Sequence, residues 1–479
     1  MALTLSHSPD GHIIPPFFDP LPSPNGSTWK TLRSIANLPA LLRNPLEVFT
    51  DLQYEETISK SRVLNRPLVF VHDPDFMRYL FVEKPELLRA EPVRQAVLRP
   101  MLRDGMLTAE GEVWTRSRHM IAPVFAPRHV TGFARIMDRA TRRFVSTMAT
   151  GPSPTPLAPV MSHLTYAILS DTLFSGEFDD EAEEVLEGTD QILQKFSRPD
   201  PLDLIGAPEW MPRLSKLGST KVIQRLRAGV RTAAESRRQR INSSETVPED
   251  FLTLLLKADA GDNAKAGGKT LTIEEIEDNI LTFIAAGHET TARALAWTLY
   301  LLSQDPNAKK RAQAEADALD TEATEPAEWD KHVPWITACF EESMRLYPPA
   351  AMIARQMTKD VSFGEHHFVA GTQVLVSPWI LHRHSAHWDA ASSFRPERFL
   401  GEQRQIIPRY SYLPFGLGHR ICIGARFAMQ EAVIALVHLL RSLDFQYAGE
   451  QPPHPVMKIT VQPHNGLPMV IARREATPV

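Results

Sequence analysis

Residues 415–424 read Phe-Gly-Leu-Gly-His-Arg-Ile-Cys-Ile-Gly, and this stretch decides the fold. Cys422 lies near its end, and an Ala-rich segment with helical spacing follows from 425 to 436. The unpaired N–H groups at a helix N-terminus stabilise a thiolate, the form of cysteine that binds metal ions. The glycines allow the backbone to turn sharply or to approach a flat ligand. The stretch indicates a metal-binding thiolate, although a lone cysteine is more often a buried structural residue.

The pattern F-G-x-G-x-R-x-C-x-G resembles the haem-binding loop of the cytochromes P450. The resemblance implies that Cys422 is the thiolate ligand of the iron of haem b, where its electron donation favours O–O cleavage. It also implies that Phe415, Arg420 and Gly424 contribute to the cofactor site. The expected fold is therefore the cytochrome P450 fold, which is mainly α with small β-sheets.

The bulk properties limit the possible partners and compartments. The chain has 479 residues, a formal net charge of -5 and two cysteines. A mildly acidic chain disfavours nucleic-acid binding, and two cysteines imply no disulfide framework. No lysine or arginine precedes Lys30, and no apolar run is long enough to span a membrane. We therefore expect a cytoplasmic protein without a membrane anchor.

Helical periodicity dominates the chain, with a few β-branched runs between turn residues. We expect a Pro-rich surface segment over 1–28 and a single cytochrome P450 domain over 29–479. The patterns predict helices at 73–81, 112–148, 162–174, 180–196 and 272–302, a hairpin at 62–72, strands at 373–376 and 457–461, and loops at 197–212 and 257–269.

The long helix from Thr272 begins with a capping box, in which Thr272 and Glu275 satisfy each other's backbone N–H groups. Its middle reads Ala-Gly-His-Glu-Thr-Thr, residues 286–291. Glycine inside a helix costs about 1 kcal/mol relative to alanine, so Gly287 either leaves room for a small ligand or allows a neighbouring helix to approach. The segment resembles the A-G-x-E/D-T-T signature of the cytochromes P450. The resemblance implies that Glu289 and Thr290 deliver protons to dioxygen.

Glu342 and Arg345 lie three residues apart on an apolar helix, and Arg398 follows in Phe-Arg-Pro-Glu-Arg-Phe, residues 394–399. An isolated pair with this spacing is usually a weak surface ion pair. These stretches resemble the E-x-x-R and P-E-R-F elements of the family. The resemblance implies a buried network of Glu342, Arg345 and Arg398 that supports the cysteine loop.

The two haem propionates need cations or hydrogen-bond donors. Trp114 and Arg118 are four residues apart on one face of a predicted helix, and they resemble the W-x-x-x-R element of the family. Arg420 and Arg355 are further candidates for the propionates. His382, His384 and His387 form no plausible group of metal ligands, so we interpret them as structural or surface residues.

The resemblance also places pocket walls around largely apolar residues: Ile284, Ala285, Ala351, Met352, Ile353 and Ile459. These residues suit a bulky hydrophobic substrate such as a steroid, a terpenoid or a fatty acid, without choosing among them. The sequence shows no fused electron-transfer domain, so we expect a separate ferredoxin or flavodoxin-type redox partner with its reductase. Arginines 116, 128, 404 and 426 are candidates for the docking patch, or belong to an ordinary solvated surface.

The expected activity is insertion of one atom of O2 into an unactivated C–H bond. A peroxide-driven peroxygenase or a thiolate-haem isomerase would share the cysteine loop but would not need Glu289 and Thr290. A haem sensor without catalysis and a haem-free protein are the remaining alternatives.

Overall fold

The computed structural model describes residues 5–22, 38–63, 66–177, 186–188, 220–260 and 271–474. Helices form most of this part of the chain, as the sequence predicts. The α-helices are α1 Leu38–Arg43, α2 Asp51–Glu55, α3 Pro74–Arg78, α4 Pro92–Leu102, α5 Gly111–Ile121, α6 Pro127–Thr147, α7 Leu157–Leu169, α8 Thr220–Asn242, α9 Phe251–Ala260, α10 Ile273–Gln304, α11 Pro306–Ala318, α12 Trp329–His332, α13 Pro334–Leu346, α14 Pro378–Leu381, α15 Gly401–Gln405 and α16 Ala425–Ser442.

Short helices of other types join these elements. The π-helices are Tyr79–Glu83 and Ser170–Phe174, and the 3₁₀-helices are Pro45–Val48, Pro85–Leu87, Ala122–Phe125, Pro326–Glu328, Pro396–Phe399 and Gly418–Arg420. The strands are β1 Ser6–His7, β2 Ile13–Ile14, β3 Ile58–Val63, β4 Arg66–Val71, β5 Leu88–Ala90, β6 Gly151–Pro156, β7 Ile353–Met357, β8 Val361–Phe363, β9 His366–Phe368, β10 Gln373–Val376, β11 Leu443–Tyr447, β12 Pro455–Met457, β13 Val461–Pro463 and β14 Pro468–Arg473.

The strands form small sheets at the edges of the helical body. One sheet has the order β3-β4-β10-β7-β5, and another has the order β11-β14-β6. Strands β10 and β4 are parallel, whereas β10 and β7 are antiparallel. The pairs β1–β2, β8–β9 and β12–β13 are separate hairpins. Strand β7 therefore fixes Ile353 and Arg355 in the larger sheet.

Helix α10 crosses the centre of the molecule. The Thr272 hydroxyl accepts from the Glu275 N–H at 3.2 Å, and the Glu275 carboxylate accepts from the Thr272 N–H at 2.9 Å. This is the predicted capping box, and the helix runs on to Gln304 because its apolar residues are buried on several sides. It packs along α7 and also contacts α13 and α16. The middle of α10 is thus held by neighbours on more than one face.

Several predicted elements are found where the periodicity places them. The hairpin is present as β3 and β4, in which Arg62 pairs with Pro67, and β10 occupies the predicted strand at 373–376. The predicted helix at 112–148 is interrupted between α5 and α6, where Pro123 and Pro127 remove backbone donors. The helix predicted from residue 162 begins earlier, at Leu157.

The predicted strand at 457–461 is wrong as a single element. Strand β12 ends at Met457 and β13 begins at Val461, and these two residues pair with each other across a tight turn. The Lys458 N–H donates to the Thr460 carbonyl at 3.0 Å and closes that turn. The β-branched residues in this run predict one extended strand. The chain turns instead, because Val461 pairs with Met457 of the same run.

Some predictions fall partly or wholly outside the described residues. The loop at 197–212 lies outside them, and so does the helix at 180–196 apart from 186–188. The loop predicted from residue 257 is still helical to Ala260, and the rest of it, 261–270, is not described. The boundary at residue 28 lies within 23–37, so the predicted division into segments stays a prediction.

The described part of the N-terminal segment is tied to the body of the protein. Ile13 is 2% exposed, and its carbonyl accepts from the Phe394 N–H at 2.9 Å. The Pro16 carbonyl accepts from the Tyr347 hydroxyl at 2.8 Å. Among the helices that the structure describes, none has the length and apolar character needed to cross a membrane.

Candidate active site

The cysteine loop, residues 415–424, leads directly into α16. The Cys422 N–H donates to the Phe415 carbonyl at 2.9 Å and closes the loop. Gly416 and Gly418 have φ angles of 79° and 71°, a region that favours glycine. A Cβ at Gly418 would lie 2.2 Å from the Phe81 carbonyl oxygen. Glycine is therefore needed there for the turn and for close backbone packing.

The Cys422 side chain is exposed on one side, while the protein around the sulfur still removes much of its hydration. This burial raises the pKa of the Cys422 thiol, and the Gly424 N–H and the charge of Arg118 lower it in part. The Gly424 N–H at the helix terminus favours the thiolate, as the sequence predicts, but its effect on the pKa is smaller than the effect of burial. Coordination to a metal cation ionises such a thiol outright.

The structure places several of the predicted cofactor-binding residues close to the cysteine loop. The Arg420 guanidinium carbon lies 4.5 Å from the ring centroid of Trp114, and its Nη2 contacts the Ala109 carbonyl and the Glu110 carboxylate, both at 2.8 Å. Arg118 is half-buried, and burial lowers its pKa against the opposing effect of Cys422. Arg355 is half-buried on β7, and its Nη1 donates to the Ala354 carbonyl at 2.8 Å.

His419 is a neighbour that the sequence analysis does not single out. Its ring meets Trp114 edge-on, with 5.1 Å between centroids. Burial and the charges of Arg420 and Arg355 lower the pKa of His419. This shared effect shows that Arg355, which is distant in sequence, lies close to the cysteine loop.

These residues fit a haem. The exposed thiol can supply a soft, anionic ligand to iron. Arg118 is near the thiol, and no hydrogen bond or ion pair with another side chain is found for it within the described ranges, so its charge suits an anionic group such as a propionate. Gly416 and Gly418 keep the loop free of side chains at two positions.

The three residues of the predicted ion-pair network lie together, and the Glu342–Arg345 pair at its centre is fully buried. Glu342 and Arg345 are both 0% exposed, and the Glu342 carboxylate accepts from Arg345 Nε and Nη2, each at 2.7 Å. It also accepts from the Arg395 N–H at 2.8 Å and lies 3.5 Å from Arg398 Nε. Burial lowers the pKa of Arg398 to about 10. The structure thus joins the three predicted residues and adds a backbone donor.

A short chain of hydrogen bonds connects this network to the cysteine loop. Arg345 Nη1 donates to the His382 carbonyl at 2.7 Å. The His382 ring bridges the Arg345 carbonyl, 3.2 Å from Nδ1, and the Leu413 N–H, 2.8 Å from Nε2. A neutral ring with its proton on Nδ1 satisfies both contacts. His382 is therefore structural, as predicted, and it holds the chain two residues before Phe415.

The predicted acid, Glu289, and the predicted alcohol, Thr290, are adjacent in α10 but have different hydrogen-bond partners. The Thr290 hydroxyl donates to the Ala286 carbonyl at 2.9 Å, which is the back-bond expected of a threonine inside a helix. The Glu289 Oε1 accepts from the Thr460 hydroxyl at 2.9 Å and from Gln462 Nε2 at 2.5 Å. Glu289 is 3% exposed. Its carboxylate therefore points to the β12–β13 hairpin.

The packing interpretation of Gly287 is the one that the structure supports. A Cβ at this position would lie 2.7 Å from Leu169 Cδ1 of α7. Real Cβ atoms do not approach other atoms so closely, so the glycine allows α7 and α10 to pack together. The expectation that Gly287 leaves room for a small ligand is wrong, because Leu169 fills that space.

Glu431 is a second buried acid beside α10 that the sequence analysis misses. It lies on α16 and is 1% exposed. Neither carboxyl oxygen has a hydrogen bond within the described part of the chain. Burial raises the pKa of Glu431 far above its usual range, and the nearby Thr291 hydroxyl only partly opposes this. Burial therefore favours the neutral form of Glu431 in the folded protein.

The predicted pocket residues divide into two groups. Ile284 and Ala351 are buried at 3% and 2% exposure, and the Ala351 carbonyl accepts from the Ser377 hydroxyl at 2.9 Å. Ala285, Met352, Ile353 and Ile459 are half-buried and pack at the edge of the apolar core. The Ile353 Cδ1 atom lies near Gly416, 3.8 Å from where a Cβ would be. These half-buried side chains remain the candidates for contact with a substrate.

Two of the four arginines proposed for docking have acidic partners. Arg116 pairs with Glu275 of α10, and Arg404 pairs with Glu341 of α13. Arg128 and Arg426 are exposed. No group of three or more His, Cys, Asp or Glu side chains in the described residues is arranged to hold a metal ion.

Comparisons with known proteins agree with this geometry. The family model "Cytochrome P450" matches residues 24–469. The cyclooctatin synthase of Streptomyces melanosporofaciens is 28% identical over 397 residues, which cover 83% of this chain and 84% of that protein. The 11-oxo-beta-amyrin 30-oxidase of Glycyrrhiza uralensis is 27% identical over 428 residues, covering 85% and 78%.

Solved structures show the same fold. The crystal structure of a cytochrome P450 (CYP102L1) matches 95% of this chain and 100% of that chain, with a TM-score of 0.76 and 25% identity. The cytochrome P450DA heme domain matches 96% and 99%, with a TM-score of 0.79 and 24% identity. The chain therefore belongs to the cytochrome P450 family of haem-thiolate monooxygenases.

Proposed function

We propose that Cys422 is the iron ligand of a monooxygenase that hydroxylates a large hydrophobic substrate of the terpenoid class. The observation that carries this proposal is the exposed Cys422 thiol in a glycine-bearing loop, with the charge of Arg118 beside it. In this proposal Arg118, Trp114, Arg420 and Arg355 hold the anionic edge of the haem. Bound haem supplies the activation of dioxygen, and the remaining chemistry depends on side chains of this chain.

The overall reaction consumes one O2, two electrons and two protons, and it yields one hydroxylated product and one water. The protons have to reach the oxygen site from α10, where Thr290 is half-buried. Because the Thr290 hydroxyl gives its hydrogen to the Ala286 carbonyl, its lone pairs are available to accept from a water molecule. Thr290 then holds that water, and the Glu289 carboxylate takes up a proton and passes it to that water. General acid assistance of this kind is worth about 10²–10⁴ in rate.

The names of the related proteins favour terpenoids among the three predicted substrate classes. They include a carotene epsilon-monooxygenase of Arabidopsis thaliana, 29% identical over 438 residues, and the 11-oxo-beta-amyrin 30-oxidase. Carotene and beta-amyrin are both terpenoids. The half-buried apolar residues Ala285, Met352, Ile353 and Ile459 are compatible with such a substrate, because none of them carries a charge or a strong hydrogen-bond donor.

A separate redox partner of the ferredoxin or flavodoxin type, with its reductase, completes the proposal. The exposed residues Arg128 and Arg426 are the candidates for its docking, since Arg116 and Arg404 are held by acids of the same chain. Exposed cations increase the association rate with an acidic partner, and this effect weakens as salt is added.

Two spectroscopic experiments test the ligand and the substrate class. The ferrous carbon monoxide adduct should show the red-shifted Soret band of a thiolate ligand, and its absence would exclude Cys422 as the ligand. A screen of carotenoids, cyclic terpenes, steroids and fatty acids should then shift the haem spin state most strongly with terpenoids. A larger response to fatty acids would contradict the proposed substrate class.

The proton-delivery role is tested by Thr290→Ala. We expect a larger share of the electrons to produce peroxide instead of product, because the held water is lost. Thr291→Ala is the matched control, since that hydroxyl lies near Glu431 and points toward α16. Unchanged coupling of electron use to product in Thr290→Ala would exclude the role.

A further inference from the structure

Among the described residues, the carboxylate of Glu289 has two hydrogen-bond donors and one ion-pair partner, and none of them is Thr290. Thr460 and Gln462 donate to Oε1, and Arg293 Nη2 lies 3.5 Å from the same oxygen. Glu289 and Arg293 are only 3% and 8% exposed. The acid is therefore fixed at a defined point of the protein interior, away from the alcohol with which it is proposed to act.

Arg293 lies one helical turn after Glu289 on α10, on the same face. Its Nη1 donates to the Ala158 carbonyl of α7 at 3.2 Å, which fixes the plane of the guanidinium. A buried cation is stable only with an anion beside it. Glu289 is the acid that pairs with Arg293 among the described residues, so each side chain fixes the position of the other.

The two neutral donors belong to a hairpin that is itself anchored. The Val461 N–H donates to the Pro349 carbonyl at 3.0 Å, and the Val461 carbonyl accepts from Trp297 Nε1 of α10 at 3.4 Å. Thr460 and Gln462 flank this residue and are buried at 3% and 8% exposure. The hairpin therefore presents its donors to Glu289 in a fixed geometry.

We propose that Arg293 is the positioning residue for Glu289, acting together with Thr460 and Gln462, and that it sets the point from which the acid passes protons toward Thr290. The inference rests on the proposed role of Glu289 in proton delivery. Arg293 itself does not contact the reacting atoms in this proposal. Its effect on the reaction passes only through the carboxylate of Glu289.

The test is a double-mutant cycle in the haem-loaded enzyme with its redox partner. Arg293→Met keeps most of the side-chain volume and removes the charge. We expect it to raise the ratio of peroxide to product about tenfold, because a displaced catalytic group loses activity steeply with distance. Glu289→Gln should raise the ratio at least as much. In the Glu289→Gln background, Arg293→Met should not raise the ratio of peroxide to product any further. With Glu289 intact, Arg293→Lys keeps the charge and should give a lower ratio than Arg293→Met.

A second readout does not depend on turnover. Arg293→Met should lower the denaturation midpoint more in the wild type than in Glu289→Gln, since the two residues form one pair. Arg227→Met is a control for the loss of a buried ion pair, because Arg227 pairs with Asp278 at the start of α10, 2.7 Å apart. It should lower the midpoint without changing the ratio of peroxide to product.

The outcomes separate the two proposals. If Glu289→Gln alone leaves the ratio at the wild-type value, the proposed role of Glu289 fails and the inference fails with it. If Glu289→Gln raises the ratio and Arg293→Met raises it further by the same factor in both backgrounds, only the inference is overturned. If Arg293→Met does not bind haem, Gln462→Met replaces it in the cycle. We expect Gln462→Met to raise the ratio of peroxide to product by a smaller factor in the wild type and to leave it unchanged in Glu289→Gln.

Discussion

Replacing Glu342 with alanine should prevent stable incorporation of haem. The carboxylate is the counterion of Arg345, and both side chains are 0% exposed. Removing one partner of a buried ion pair costs about 3–5 kcal/mol, because the remaining charge is left uncompensated. The Arg395 N–H also loses its acceptor at 2.8 Å, which adds roughly 1–3 kcal/mol.

These costs are comparable to the whole stability of a typical protein, which is about 5–15 kcal/mol. The damage would also reach the cysteine loop, since Arg345 supports His382 and His382 holds Leu413. We therefore expect Glu342→Ala to be recovered with little haem and to unfold at a much lower denaturant concentration than the wild type.

The neighbouring residue offers a matched control. Glu341 lies on the same helix and pairs with Arg404, whose side chain is 54% exposed. The Glu341 carboxylate itself is only 7% exposed, but its removal leaves Arg404 in contact with water, so Glu341→Ala should cost less stability than Glu342→Ala and should retain haem. The assay is the haem-to-protein absorbance ratio together with a denaturant titration. Full haem content and a wild-type midpoint in Glu342→Ala would refute the reasoning.

Two pH dependences of opposite sign follow from buried groups. Because the pKa of Glu431 is raised in the folded protein, the unfolded chain ionises first, and the wild type loses stability as pH rises above the pKa of this group in the unfolded chain. The stability of Glu431→Gln relative to the wild type should therefore increase from pH 5 to pH 8, and a constant difference in unfolding free energy would contradict this. Burial lowers the pKa of His382 from 6.5 to about 3, so its contribution is present above pH 6.5 and lost on acidification. Between pH 6.5 and 5 the wild type should lose about 2 kcal/mol more than His382→Gln in denaturant titrations.

Local patterns in the sequence predict the parts of the site whose partners are close along the chain. The capping box joins Thr272 to Glu275, and the buried pair joins Glu342 to Arg345. The cysteine loop is closed by a hydrogen bond from the Cys422 N–H to the Phe415 carbonyl. In each case the spacing allows the contact, whereas the buried network around Glu342 and Arg345 is implied only by the family resemblance.

The partners of Glu289 are not predictable in this way. Thr460 and Gln462 lie 171 and 173 residues further along the chain, and the sequence predicts a single strand over 457–461, which contains Thr460 but not Gln462. Only the pairing of Met457 with Val461 turns Thr460 and Gln462 toward α10. Arg293 was accessible to sequence reasoning, because it follows Glu289 by four residues on a helix. The role of Gly287 is likewise not decided by the sequence, because the residue that packs against it, Leu169, lies on another helix.

Helix α10 is packed against neighbouring helices on both sides of Thr290, and this supports the proposed role of that residue in holding a water molecule. At Gly287 the helix is pressed against Leu169 of α7, and at Thr291 it meets the buried acid Glu431 of α16. The Thr290 hydroxyl is turned back to the Ala286 carbonyl between these two contacts. In the proposed proton delivery, the packing of the helix at both points keeps the Thr290 hydroxyl turned away from the Glu289 carboxylate, so a proton would pass between them through water. The distance that water must bridge is then set by the position of the Glu289 carboxylate.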